Sequence, residues 1–103
     1  MSHPDTCLTL LFPKILEDRV IDMLVESEVL VRGFTLCEVD ELGRAAEYQT
    51  ALEKVLGRAH RMQVTIILDR AGADKVIKDL KQILPRASIV YYMTPVTEFG
   101  SFL

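Results

Sequence analysis

The chain has 103 residues, half of them hydrophobic and 26% charged, with a net charge of −3. One domain of that composition folds rather than staying disordered, and its core is modest enough for subunit association to help it. The slight acidity argues against broad nucleic-acid binding, which needs clustered lysine and arginine. With no basic-then-apolar leader and no apolar run of bilayer length, the sequence reads as cytoplasmic, without membrane insertion.

MSHPD is an ordinary frayed start, and His3 belongs to it rather than to a ligand set. Thr6 to Phe12 alternates as a strand, with Leu8, Leu10 and Phe12 on one face and Cys7, Thr9 and Leu11 on the other. Pro13 closes it and can open a helix. From Lys14 to Glu28 the period changes: Leu16, Val20, Met23 and Leu24 recur at helical spacing, opposite Glu17, Asp18, Asp22 and Glu26. Ser27 to Arg32 returns the chain, and Gly33 permits a turn into a second strand, Phe34 to about Val39.

A third strand runs from about Arg61 to Leu68, rich in β-forming residues. DRAGADKVIKDLKQIL then carries a stripe of Ala73, Val76, Ile77, Leu80, Ile83 and Leu84. Asp74 lies near the favourable end of that helix, and Pro85 stops it. Ala87 to Thr94 is a fourth strand, and the tail VTEFGSFL brings two phenylalanines that need a surface to lie on.

The order βαββαβ predicts an α+β, ferredoxin-like sandwich: an antiparallel sheet in the order 4-1-3-2 with two helices on one face. The third strand then separates the two strands that carry cysteine. At about 4.8 Å per strand spacing, Cys7 and Cys37 are too far apart for a disulfide. Both read as small buried apolar residues in a reduced compartment, rather than as a bridge or a metal pair. The helix-facing side takes Leu8, Leu10 and Phe12 with Val64, Ile66 and Leu68. The opposite side takes Thr9, Leu11, Thr65, Ile67 and one of Tyr91 and Tyr92. That side is too apolar to stay wet, so the expectation is that another subunit covers it.

The excursion at about 40–61 is far longer than the usual hairpin loop of about two to five residues, and loops of that length in small domains are commonly functional. Tyr48, Ala51, Leu52, Val55 and Leu56 share one helical face, and Gly57 stands where helices commonly end, so a short amphipathic helix is predicted over about Ala45 to Leu56. So short a helix is marginal alone and must dock on its own subunit, a neighbour or a client; Tyr48, Leu52, Val55 and Leu56 are the candidate contacts to a partner. Arg58 and Arg61 at the loop base could bind a small anion, or could pair with Glu38, Asp40 or Glu41 nearby. His60 alternates with Met62 and Val64 and reads as a strand-rim residue; it is the metal candidate only in a second reading. No zinc spacing, catalytic triad or paired carboxylates stand out, so no enzyme is expected, and the residues leave any cofactor unknown.

GFTLCEVDELGR resembles the second strand and loop opening of nitrogen regulatory PII proteins, in which a Gly-x-Thr-x-x-Glu-Val run leads to Gly-Arg-Gln. Here these are Gly33, Thr35, Glu38, Val39, Gly43 and Arg44. DRAGADKVIKDL and Thr94-Pro95-Val96 are also similar to the family's pattern. The chain is more similar still to an uncharacterised bacterial PII-like branch with a GR-x-x-R segment entering the third strand, often associated with heavy-metal efflux. The resemblance implies a homotrimer with projecting T-loops. Small effectors bind between subunits, with Gly43 and Arg44 as effector contacts, and the loop contacts a client protein still to be identified. It also implies a rival, a metal-binding protein of the cation-tolerance type using His60, Glu38 or Cys37. Three departures stand out: Ala45 replaces the glutamine that would bind magnesium and 2-oxoglutarate, LPRAS lacks the glycine-rich phosphate loop, and the arginines expected after the last strand are absent. ATP binding in the family manner is therefore not implied.

Overall fold

The structure, a computed structural model, describes residues 3–28, 33–43 and 48–103. Four strands and three helices follow one another: β1 (Thr6–Pro13), a 3-10 turn (Lys14–Leu16), α1 (Glu17–Glu26), β2 (Thr35–Glu41), α2 (Ala51–Leu56), β3 (Ala59–Leu68), α3 (Arg70–Ile83) and β4 (Val90–Pro95). The sheet order is β2-β3-β1-β4 and every neighbouring pair is antiparallel. This is the predicted ferredoxin-like sandwich, with α1 and α3 supplying the layer on one side.

The alternation of β1 and β3 places the core. Leu8 lies opposite Ile66, Leu10 opposite Val64 and Phe12 opposite Met62. These side chains meet Val20 and Leu24 of α1 and Val76 and Leu80 of α3 in one cluster, where all are nearly or wholly out of water. α3 opens on Asp69, whose carboxylate accepts from the Gly72 amide at 3.1 Å. The sequence reading pointed instead to Asp74, which pairs with Arg70 one turn further along. β4 starts three residues later than expected: Ala87 donates to Leu84 and Ile89 to Ala87, a turn at 85–86 with residues 87–89 outside the strand. The return at Ser27 to Arg32 lies in part outside the described residues.

Neither α1 nor α3 packs on the opposite face of the sheet. Cys7, Thr9 and Leu11 of β1 stand beside Ile67, Thr65 and Gln63 of β3, and Tyr92 is the tyrosine opposite Thr9. Cys37 lies on this face too, opposite Gln63, so β3 separates the cysteines as expected and both are free thiols. The expectation of burial needs correction: Cys7 is half-buried and Cys37 exposed. β2 is an edge strand, with β3 as its one neighbour in the sheet.

Candidate functional site

The loop between β2 and β3 spans residues 42–58, a shorter excursion than the 40–61 read from sequence because both strands run further into it. Gly43, with φ +114°, and Gly57, with φ +68°, occupy left-handed backbone that other residues rarely adopt. Gly57 is the C-cap of α2, as the pattern predicted. Arg44 and the start of the expected helix at Ala45 lie outside the described residues.

α2 is shorter than expected, and its apolar side faces away from its own subunit. Tyr48 and Gln49 are not helical; Thr50 is the N-cap, and its hydroxyl accepts from the Glu53 amide at 3.1 Å. The helix turns Glu53 inward, where it is 6% exposed, while Leu52, Val55 and Leu56 are 65%, 82% and 57% exposed. One Glu53 carboxylate oxygen accepts from the Gln49 amide at 2.7 Å and the other from the His60 amide at 3.0 Å. No residue of this six-residue helix joins the hydrophobic core, and Glu53 is its one buried side chain. Two backbone donors therefore decide its orientation. They hold the Glu53 carboxyl below the usual carboxylate range, the Gln49 amide first and the His60 amide next. The charges of His60 and Arg61 add to this, and burial opposes it.

The sequence did carry a signal for this pin. Thr50-Ala51-Leu52-Glu53 has the spacing of a capping box, in which a glutamate three residues after the cap reaches back to backbone N–H groups. Reading the same residues only for apolar periodicity misses it.

The charged residues at the loop base sort by face. Asp40 lies opposite His60 on the helix side, and its two oxygens meet His60 Nδ1 at 3.1 Å and Arg58 Nη1 at 3.2 Å. Arg61 lies opposite Val39 on the other side, 4% exposed, with its Nε 3.6 Å from Glu41. Arg58 and Arg61 thus engage carboxylates on opposite faces. Glu38, on the helix side, pairs with Lys14, which lowers the carboxyl's pKa and raises the ammonium's, chiefly through their hydrogen bond. Cys37 faces away from Glu38 and His60, so these three do not converge, and among the described residues no group of three metal-binding side chains gathers.

A βαββαβ sheet of this order, with a long loop between its two central-sequence strands, is the architecture of PII-like proteins. A putative PII-like signalling protein from Thermus thermophilus superposes with a TM-score of 0.61 at 14% identity, covering 89% of this chain and 86% of that one. CPII, a nitrogen regulatory PII-like protein from Thiomonas intermedia bound to ADP, AMP and bicarbonate, superposes at 0.66 and 10% identity, covering 91% of each chain. A crystal structure of a DUF3240 family protein from Shewanella baltica gives 0.77 at 18% identity, covering 99% of this chain and 100% of that one. The family model described as protein of unknown function (DUF3240) matches residues 2–103, and the chain belongs to that family. No curated protein matches the sequence.

Proposed function

We propose that this is a non-enzymatic, cytoplasmic PII-like regulator: a homotrimer whose β2–β3 loop changes position when a small anion reaches the subunit boundary, and which signals by contacting a client protein. The observation that carries the reading is the mounting of α2. It presents Leu52, Val55 and Leu56 to solvent and is pinned through one carboxylate. A helix held by so few polar contacts can be displaced, and its apolar face is displayed rather than used for folding. Tyr48, half-buried beside it, completes the partner contact. The fold shared with PII-like signalling proteins supports the same reading.

Gly43, Arg44, Arg58 and Arg61 are the ligand-binding residues in this proposal. Asp40 engages Arg58 on the helix side and Glu41 engages Arg61 on the other, and an anion entering on either face competes with that face's carboxylate for one guanidinium group. A ligand moves the loop only by the difference in its affinity for the two loop positions. The test is hydrogen exchange across residues 48–61 with ADP, AMP, bicarbonate and phosphate offered singly and in pairs. At least one of these should change protection in 48–61 while leaving β1 and α3 unaltered. Unchanged protection with every ligand overturns the switch.

A further inference from the structure

β4 is an edge strand: β1 lies on one side of it and the sheet ends on the other. Beside it, on the helix-bearing side, α3 and β4 enclose two hollows of about 740 and 340 Å³ that share Ile77, Lys81 and Tyr91 and so form one groove. Its floor is apolar, through Ile77, Leu84, Ile89 and Met93. Its rim carries an excess of positive charge: Asp74 is paired with Arg70, and beyond them stand Lys78, Arg86 and Lys81, whose ammonium sits 5.9 Å from the Tyr91 ring centre.

Residues 96–103, Val-Thr-Glu-Phe-Gly-Ser-Phe-Leu, leave β4 after Pro95 with no helix or strand of their own. Phe102 and Leu103 are fully exposed. The segment carries one acid, Glu98, and no base, the complement of the groove's rim. Extended, its eight residues reach about 26 Å, enough to run beside the roughly 20 Å of β4.

We propose that residues 96–103 of one copy lie along β4 of a second copy, seating Phe102 on the apolar floor with Glu98, on the same face of the extended segment, against the cationic rim. An exposed strand edge flanked by an apolar groove is a site for strand addition, in which backbone bonds supply affinity and alternate side chains supply specificity. The tail does not occupy its own groove: none of residues 96–103 lines either hollow, although the larger one, lined by Arg70 and Met93, opens near the Pro95 end where Val96 donates to Asp5 at 2.9 Å. Passing each tail to the next copy is a head-to-tail contact, which closes into a ring when the rotation allows. This inference concerns the opposite edge of the sheet from the loop and does not depend on the loop's signalling.

The test uses two full-length chains without native cysteine (Cys7→Ser, Cys37→Ser), one carrying Ser101→Cys and the other Gln82→Cys, co-expressed and treated at low concentration with a short bis-maleimide. Linkage between the two chains is expected, and Phe102→Asp in the donor should reduce it at least tenfold. Absence of linkage overturns the proposal. So does linkage that forms only when both cysteines are on one chain, which would mean that the tail folds back on its own groove. Light scattering on the same sample reads assembly separately: a trimer without cross-links removes the tail exchange alone, whereas cross-links in a dimer keep the tail exchange and remove the trimer.

Discussion

Glu53 shows how one side chain sets the character of a loop. Its lowered pKa means that the folded protein favours the carboxylate more than an unfolded chain does. The pin is therefore fully present above the ordinary glutamate range and is lost as pH falls through the lowered folded value. In a two-dimensional NMR titration the Gln49 and His60 amide signals should move together, with a midpoint below that of an ordinary glutamate. Glu53→Gln should abolish that shared titration and speed exchange of the His60 amide several-fold, with the amides of β1 unaffected. A midpoint at or above the ordinary value would show that the two backbone bonds do not govern this carboxyl. This residue was readable in the sequence only through Thr50 three positions earlier, because a pattern of apolar spacings assigns any glutamate to the wet side. Asp69 was missed for a similar reason: the acid nearest a helix start attracts attention for its charge, whereas the cap is the residue just before the first turn.

At the scale of elements, legibility follows burial. β1, β3 and α3 each present a full apolar face to the common core, so period alone located them. The register of Leu8, Leu10 and Phe12 against Ile66, Val64 and Met62 follows from the same alternation. α2 contributes no residue to that core, so the rule that apolar faces point inward does not govern it. Its leucines look outward, so they are available to a client in the proposed function. Leu52→Asp and Leu56→Asp should accordingly leave the fold's stability within about 0.5 kcal/mol, as for surface substitutions remote from the core. The same pair should abolish capture of the client. Chemical denaturation checks the first expectation, and a pull-down from the native cell, compared with Glu53→Gln, checks the second. Loss of several kcal/mol in the double variant would mean that this helix packs inward and is not a displayed surface.

For the whole molecule the decisive asymmetry is between the two faces of the sheet. One is sealed by α1 and α3; the other carries Leu11, Thr65 and Ile67, half-buried, and Tyr92, exposed, around a buried Thr9. Pattern analysis could see that this face is apolar, since alternation shows both faces of a strand at once. It could not supply the geometry of an assembly, because one chain's sequence contains no coordinate of its neighbour. The proposed trimer places this face against sister copies, which removes apolar surface from water at about 25 cal/mol per Å². Placing a charge there desolvates it without a partner on assembly, a far larger penalty than the loss of one contact. Ile67→Asp, with Leu11→Glu as an independent second variant, is therefore expected to convert the protein from trimer to monomer in light scattering. The far-ultraviolet circular dichroism should stay that of the parent, because both positions face away from the helix-side core. A trimer that survives both substitutions would put the contact elsewhere and leave this face unexplained. A folded parent that is already monomeric at high concentration would remove the subunit boundary, and with it the place where the proposed ligand acts.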